Sequence, residues 1–330
     1  MAEPVTKRSI LVTGAAGYLG RELIAALLKP EHAAFEITGL DIATGTDLPK
    51  APRFEYVRMD IRSPELPGLL AGRTIDTVVH LASIVNPGAG AKRQLAFDVD
   101  VRGTEHLVRC AVETGVRQFI LTSSGAAYGY HADNAIPLHE DDALRGNTEF
   151  AYAHHKRLVE EMLAGFRARH PELRQLIFRP GTILGEHVHN QITALFEKKT
   201  IPGVRGAETP FVFIWDRDVV RAIIQGIVED REGIFNLAGD GSLTLAEIAE
   251  RMGHTLRRYP AWLLKLVLGL LHFLRLTPYG PEQVRFLRYR PVLANDRLKS
   301  QFGYVPELTS EQTFELYRTS RIQNPKGSGT

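Results

Sequence analysis

The residues best suited to chemistry are a tyrosine and a lysine four positions apart. Tyr152 and Lys156 occur in the run FAYAHHK, which opens a predicted helix that extends to about Ala168. The i, i+4 spacing puts both side chains on one face of that helix. A phenol has an ordinary pKa of about 10, but a neighbouring ammonium favours its ionised form. The pair could therefore exchange a proton with an alcohol or a ketone.

An alcohol or ketone also needs a hydroxyl that orients its oxygen, and two serines are candidates. Ser123 and Ser124 directly follow a predicted strand, Gln118–Thr122. Ligands of open α/β sheets bind at the carboxyl ends of the strands, so the serines stand where a substrate is expected. A tyrosine–lysine pair alone is common on exposed helices, and its interpretation as a site depends on these serines and on a glycine-rich turn near the N-terminus.

That turn joins a predicted strand, Ile10–Val12, to a predicted helix, Leu19–Leu28, through the run TGAAGYLG. Gly14 permits the tight turn out of the strand, and Gly17 lets the backbone approach a pyrophosphate. Gly20 lets the helix pack on the strand. The N–H groups at the start of the helix then face the anion. The run therefore predicts a dinucleotide site, whose nicotinamide would exchange hydride with the substrate carbon.

Two aspartates indicate how the adenosine half of a dinucleotide would be held. Asp41 closes the second predicted strand, Glu36–Leu40, where a carboxylate binds the two ribose hydroxyls and repels the extra phosphate of NADP. No arginine directly follows it, so the sequence favours NAD over NADP. Asp60, with Ile61, follows the next apolar run and would face the adenine amine.

The order of elements predicts the fold class. Strands at Thr77–Leu81, Gln118–Thr122 and Gln175–Phe178 alternate with helical stretches such as Leu95–Thr114. Apolar strands alternating with helices predict an α/β fold with a doubly wound parallel sheet of the Rossmann type. We assign this sheet to residues 1–180. Residues 181–330 are expected to form a smaller, mostly helical substrate-binding region, with some segments returning to the first domain.

Together these motifs resemble those of the extended short-chain dehydrogenases/reductases, the group of the nucleotide-sugar epimerases and dehydratases. The resemblance covers nearly the whole chain. It rests on TGAAGYLG at 13–20, Asp41, Asp60 with Ile61, HLAS at 80–83, VRGT at 101–104, TSS at 122–124 with Tyr128, Tyr152 with Lys156, RPG at 179–181 with Gly185, FIWD at 213–216, FNLAG at 235–239 and FGYVP at 302–306.

The resemblance implies roles for particular residues. Ser124 matches the catalytic Ser/Thr of the family because it lies four residues before Tyr128. Tyr152 matches the general acid/base, and Lys156 matches the residue that binds the nicotinamide ribose and lowers the pKa of the tyrosine. The expected NAD-binding residues are Gly14, Gly17, Tyr18, Leu19, Gly20, Asp41, Asp60, Ile61, Leu81, Ala82, Ser83, Tyr152, Lys156 and Pro180. The expected substrate-binding residues are Ser124, Tyr128 and Asn190, together with Arg288 and Arg290 of the basic C-terminal region, which could clamp an anionic group such as a diphosphate.

The sequence also departs from the family pattern. Asp100 stands where the family usually has asparagine before VxGT. The segment 203–210 is only partly similar to the family pattern, and 145–148 lacks the proline-rich pattern common in epimerases. The nucleotide-sugar epimerase or dehydratase interpretation therefore has an alternative, a dehydrogenase or reductase of a hydrophobic hydroxy compound similar to 3β-hydroxysteroid dehydrogenases. A non-catalytic NAD-binding scaffold or sensor is the alternative from another functional class.

A basic, apolar segment follows residue 250. Residues 251–300 contain ten Lys or Arg and two Asp or Glu, although the whole chain carries only +2. Within them, WLLKLVLGLLHFLRL at 262–276 is too short to span a bilayer, and as a helix it would place Lys265 and His272 on one narrow polar stripe. Three interpretations remain open: a buried helix or lid, a helix lying on an anionic membrane surface, and an oligomer interface.

Composition excludes several classes of protein. A chain of 330 residues with 44% hydrophobic and 24% charged residues is neither disordered nor fibrous, and its single cysteine excludes a disulfide scaffold. The N-terminal sequence lacks a signal-peptide pattern, so we expect a cytoplasmic protein. We expect a small-molecule substrate, a homodimer and no nucleic-acid partner. The histidine pairs at 154–155 and 187–189 lack carboxylate or cysteine ligands at a usual spacing, so we expect no metal.

Overall fold

The computed structural model describes residues 7–45, 47–85, 90–208, 210–274, 276–277 and 280–323. Contacts divide the chain into two compact units that interleave in sequence. The expected division at residue 180, with some segments returning to the first domain, stays a prediction. The first unit comprises Met1–Ser123, His155–Phe178 and Val220–Ile234. The second unit comprises Ser124–His154, Arg179–Val219 and Phe235–Thr330.

The strands and helices have the following bounds. The strands are β1 (Arg8–Thr13), β2 (Phe35–Asp41), β3 (Phe54–Arg58), β4 (Thr77–His80), β5 (Gln118–Thr122), β6 (Arg174–Pro180), β7 (Thr182–Leu184), β8 (Thr200–Val204), β9 (Phe213–Trp215), β10 (Gly233–Leu237) and β11 (Thr255–Tyr259). The helices are α1 (Tyr18–Leu27), α2 (Leu66–Gly72), α3 (Ala91–Phe97), α4 (Thr104–Glu113), α5 (Ala151–Arg169), α6 (Gln191–Phe196), α7 (Asp216–Val228), α8 (Leu245–Arg251), α9 (Ala261–Phe273), α10 (Gln283–Arg288) and α11 (Ser310–Gln323).

The central sheet has the strand order β10-β6-β5-β4-β1-β2-β3, with parallel pairing. Ile10, Leu11 and Val12 of β1 are fully buried because helices cover both faces of the sheet. The order reverses direction at β1, so the carboxyl ends of β1 and β4 border the crevice where such sheets bind ligands. This confirms the predicted doubly wound Rossmann-type fold.

The predicted helix at Leu95–Thr114 is interrupted in the structure. It begins as α3, passes through a π-helical turn at Asp98–Gly103, and continues as α4. Within the turn, the Asp100 carbonyl accepts the Thr104 hydroxyl at 2.5 Å. A Cβ on Gly103 would come within 2.7 Å of the Cδ1 atom of Ile61, so the turn packs closely against that side chain. Such π turns are frequent at functional sites.

The second unit has its own apolar core and two small parallel pairs, β8 with β11 and β7 with β9. Its core is aromatic, with Phe196, Phe213 and Phe314 fully buried against one another. Helix α8 begins with the reciprocal hydrogen bonds of a capping box between Thr244 and Glu247. In the described part of the chain, no helix is long and apolar enough to cross a bilayer.

Candidate active site

The glycine-rich turn has the geometry of a phosphate cradle. Gly14 adopts φ +71°, and a Cβ there would lie 2.7 Å from the backbone nitrogen of Ala82. A Cβ on Gly20 would lie 2.2 Å from the Gly14 carbonyl oxygen, so α1 can pack this closely only with glycine. Helix α1 starts at Tyr18 with no side-chain cap and no acidic residue in its first turn. Its first N–H groups therefore suit an anion, and the turn fits a dinucleotide pyrophosphate.

Asp41 lies at the end of β2, against that turn. One carboxylate oxygen accepts a hydrogen bond from the Ala16 backbone N–H at 3.1 Å, and the other accepts one from the Ala43 N–H at 3.1 Å. The bond from Ala16 holds the half-buried Asp41 carboxylate, the predicted ribose-binding group, against the glycine-rich turn. The remaining lone pairs of a carboxylate can still accept ribose hydroxyls.

Asp60 has a partner that the sequence analysis did not anticipate. Its carboxylate binds the Arg62 guanidinium through two hydrogen bonds, of 3.0 Å and 2.7 Å. These bonds hold the pKa of Asp60 below its usual value. Ile61 is buried beside it. The predicted contact of Asp60 with an adenine amine stays a prediction.

Two hydroxyls near the carboxyl ends of β4 and β5 are buried without a partner among the residues described. They belong to Ser83, which follows β4 within the half-buried run 81–83, and to Thr122, the last residue of β5. A buried hydroxyl without a hydrogen-bond partner destabilises the fold unless a ligand or a water molecule forms a hydrogen bond with it. A polar ligand at this edge of the sheet, as the dinucleotide would be, satisfies that requirement. Pro180, also predicted to contact NAD, is the buried last residue of β6.

His80 ends β4 and links the glycine-turn strand to α4. Its Nδ1 lies 2.7 Å from the Thr13 hydroxyl, and its Nε2 lies 2.8 Å from the Thr104 hydroxyl. Thr104 donates its own proton to the Asp100 carbonyl, so it accepts from His80 Nε2–H and fixes the neutral tautomer. Burial, with the nearby Lys156 charge, lowers the pKa of His80 to about 3.

We expect this histidine to make the fold sensitive to acid. Because the pKa of His80 is about 3 in the folded chain and 6.5 for an ordinary histidine, the unfolded chain takes up a proton that the folded chain does not. Stability is therefore lost as the pH falls from 6.5 towards 3, at up to about 1.4 kcal/mol per pH unit. Denaturant titrations between pH 7 and pH 4 should show a shallower loss for His80→Gln than for the wild type. The exposed His187→Gln is the control and should follow the wild-type slope; equal slopes for all three proteins would contradict this account.

Lys156 is buried on α5, one helical turn after the half-buried Tyr152. Its ammonium donates to the Thr122 carbonyl oxygen at 3.0 Å. Burial lowers the pKa of Lys156, and the carboxylates of Asp100 and Glu160 oppose that shift. These two carboxylates therefore help to keep the ammonium charged in a dry environment.

Asp100 and His155 form a buried pair that sequence reasoning missed. His155 Nδ1 lies 2.9 Å from one carboxylate oxygen of Asp100, and the other oxygen accepts the Ile84 N–H at 2.8 Å. Both side chains are almost fully buried. The available signal was Asp100 itself, at a position where the resembling family has asparagine. His155 was considered only for a metal, and no group of three or more His, Cys, Asp or Glu suited to one occurs in the described part of the chain.

The structure distinguishes the two candidate serines. Ser123 is 1% exposed, and its hydroxyl donates to the Glu160 carboxylate at 2.5 Å. Ser124 is half-buried, and its Oγ accepts the Ala126 N–H at 3.1 Å as a helix cap. The Ser124 hydroxyl proton can still be donated to a substrate oxygen, whereas that of Ser123 is committed. The catalytic assignment of Ser124 stays a prediction.

In the second unit, Arg290 has an unusual environment. Its guanidinium lies over the rings of Phe211 and Phe286 at 4.4 Å and 4.6 Å, and it donates to the Thr182 hydroxyl at 3.1 Å. Its Nη1 is buried with no partner among the described residues. Burial lowers the pKa of Arg290 to about 10. A cation held this way suits an anionic ligand group. Arg288 lies two residues earlier, half-buried at the end of α10.

Tyr128 and Asn190, two further predicted substrate contacts, have structural partners. Tyr128 is fully buried; its hydroxyl receives a hydrogen bond from Arg179 at 2.7 Å and lies 2.9 Å from the Asn236 side-chain oxygen. Asn190 caps α6, and its side-chain oxygen accepts the N–H groups of residues 192 and 193. These contacts give both residues a role in the fold, and their predicted substrate contacts stay predictions.

Curated relatives of the chain include an uncharacterized protein of Mycobacterium tuberculosis. It is 26% identical over 328 residues, which covers 98% of this chain and 86% of that protein. A UDP-glucose 4-epimerase of Erwinia amylovora is 30% identical over 193 residues, 56% of each chain. A 3-beta-hydroxysteroid dehydrogenase of Mycolicibacterium neoaurum is 31% identical over 196 residues, 57% of this chain and 51% of that protein.

Among solved structures, the chain is similar to MoeE5 in complex with UDP-glucuronic acid and NAD. The TM-score is 0.73 at 21% identity, and the alignment covers 96% of this chain and 99% of that one. This likeness shows the shared fold. The family model described as NAD dependent epimerase/dehydratase matches residues 10–238, which is more than half of the chain. With the glycine cradle and the Tyr152–Lys156 helix in place, the chain belongs to the NAD-dependent epimerase/dehydratase family.

Proposed function

We propose that this protein is an NAD-dependent epimerase or dehydratase that acts on a secondary alcohol or ketone of a nucleotide sugar. The observation that carries the proposal is Lys156, which is buried one helical turn after Tyr152. The carboxylates of Asp100 and Glu160 favour its charged form. Such a cation is costly to bury and has a clear use in stabilising a phenolate.

Each of these residues would have a separate role in the reaction. The Tyr152 phenolate accepts the hydroxyl proton of the substrate, and the phenol returns it to the ketone. Ser124 donates a hydrogen bond to the same substrate oxygen. Lys156 stabilises the phenolate by its charge. NAD, when bound, supplies the hydride acceptor and afterwards the donor, which gives no net oxidation in an epimerase or dehydratase.

We propose NAD rather than NADP because of Asp41. Its carboxylate is fixed beside the glycine turn by the Ala16 N–H, and a 2′-phosphate next to it would meet a like charge. The expected result is tighter binding of NAD than of NADP in calorimetry, with the preference reduced in Asp41→Asn.

Arg290 is the residue that favours a substrate with a nucleotide diphosphate. The Arg290 guanidinium, whose Nη1 atom is buried, has no carboxylate partner in the described ion pairs and would pair with a diphosphate, and the rings of Phe211 and Phe286 provide apolar surface. The similarity to a UDP-glucose 4-epimerase supports the same substrate class. The similarity to a 3-beta-hydroxysteroid dehydrogenase supports a second candidate, the oxidation of an apolar hydroxy compound.

Turnover of purified protein tests the two candidates against each other. Conversion of a UDP- or dTDP-sugar without net NADH, on protein that retains NAD, supports the epimerase or dehydratase. Stoichiometric NADH from a hydrophobic alcohol supports the second candidate. A protein that binds NAD and turns over neither class would support the scaffold alternative. A homodimer and a cytoplasmic location stay predictions.

A further inference from the structure

Helix α9 of the second unit exposes a row of large apolar side chains. Trp262, Leu266, Leu270 and Phe273 are 67%, 63%, 57% and 82% exposed, respectively. Their spacing of four, four and three residues places them on one helical face. We call these four residues the α9 row. Soluble proteins rarely expose so much contiguous apolar surface unless it meets a partner or a membrane.

The opposite face of α9 attaches the helix to the protein. Leu264, Leu268 and Leu271 lie on that face and are half-buried, and none of the residues of α9 is fully buried. The helix begins directly after β11, at Pro260, whose carbonyl accepts the N–H groups of Leu263 and Leu264. Helix α9 therefore lies on the surface of the second unit, and the α9 row faces outward.

The segment that carries α9 is strongly cationic. Residues 251–281 contain five Lys or Arg and no Asp or Glu. Lys265 and His272 border the α9 row and are exposed, and Arg257, on the strand that leads into α9, is also exposed. Within the described chain, no ion pair neutralises Lys265 or Arg257, whereas Arg258 is paired with Glu208 at 3.2 Å. Arg275 lies outside the described residues.

We propose that the α9 row docks on an anionic lipid surface, with the helix parallel to the bilayer and its apolar side chains among the upper acyl chains. The helix has 13 residues, too few to span a bilayer. Apolar burial would supply binding, and the cations at the border would meet anionic headgroups. Trp262 suits the interface because its ring is apolar with one polar N–H.

The charge pattern favours lipid over a second copy of the chain. A two-fold contact through the α9 row would bring the same face of two copies together. Lys265 and Arg257 of both copies would then approach one another with no acidic residue in 251–281 to compensate them. An anionic membrane removes this repulsion, so it is the partner that fits both the apolar row and its border.

Vesicle binding of the full chain tests the proposal. We expect binding to vesicles of phosphatidylcholine with anionic phosphatidylglycerol, weaker binding to phosphatidylcholine alone, and loss of binding at high salt. Leu266→Asp should weaken binding at least about tenfold, because it places a carboxylate in the row. The matched control is Ile322→Asp, which changes another helical aliphatic residue that is 65% exposed. Both variants should keep the wild-type melting temperature and NAD affinity, which separates this result from the proposed enzymatic function.

The fluorescence of Trp262 reports the same event directly. In a Trp215→Phe background it is the only tryptophan, and its emission should shift to shorter wavelength when anionic vesicles are added. Equal vesicle binding by wild type and Leu266→Asp would overturn the proposal. Absence of binding to the anionic vesicles would also overturn it, and a concentration-dependent dimer that Leu266→Asp dissociates would then assign the row to a second copy.

Discussion

Tyr152→Phe should lower kcat by about 100- to 10,000-fold, the usual contribution of a positioned acid or base. Phenylalanine keeps the ring on α5 but cannot carry the proton that the substrate hydroxyl must lose. NAD affinity and the melting temperature should change little, since Tyr152 is half-buried and Lys156 remains. Steady-state turnover of the sugar nucleotide or alcohol that the wild-type protein converts measures the effect.

The matched control for this substitution is Tyr259→Phe. Tyr259 is a half-buried tyrosine on β11 in the second unit, and removing its hydroxyl should leave kcat unchanged. A Tyr152→Phe protein that retained a tenth or more of the wild-type kcat would show that another group moves the proton.

Asp100→Ala should lower the free energy of unfolding by about 3–5 kcal/mol, the usual result of leaving a buried charge, here that of Lys156, without a compensating partner. His155 Nδ1 and the Ile84 N–H would both lose their acceptor in the interior, and the buried Lys156 would lose a compensating charge. Denaturant unfolding measures this loss. A change below about 1 kcal/mol would mean that water replaces the carboxylate without penalty.

The isosteric Asp100→Asn separates a positioning role from a structural one. The amide retains an acceptor for the Ile84 N–H but removes the negative charge, so the pKa of Lys156 should fall further. Since activity needs the ammonium, the alkaline limb of the pH–rate profile should move to lower pH. Glu160→Gln removes the other carboxylate that raises this pKa and should move the limb in the same direction. Profiles that coincide with the wild type would restrict Asp100 to a structural role.

The sequence predicted the sheet because its strands carry local signals. Strand β5 was expected at Gln118–Thr122 and is found there, since β-branched and aromatic residues between polar ends indicate a buried strand. The helix at Leu95–Thr114 was expected to be continuous. Its π-helical turn accompanies tertiary contacts, such as that of Gly103 with Ile61, which helical periodicity cannot show.

The site was predictable where it depends on spacing along the chain. Tyr152, Lys156 and the glycines follow from intervals of a few residues. The Asp100–His155 pair could not be found this way, because its members are 55 residues apart and meet only in the folded first unit. The hydrogen bond that engages the Ser123 hydroxyl was equally out of reach, because its acceptor, Glu160, lies 37 residues away.

The most direct test of the central claim is a pre-steady-state experiment with NAD-loaded protein. The enzyme is mixed rapidly with excess UDP- and dTDP-sugars, and the absorbance of reduced nicotinamide is followed. We predict that one of these sugars reduces the bound nicotinamide transiently in the wild type, and at least about a hundredfold more slowly in Tyr152→Phe. Equal rates of reduction in the two proteins, or turnover of a sugar by protein stripped of nicotinamide, would contradict the account.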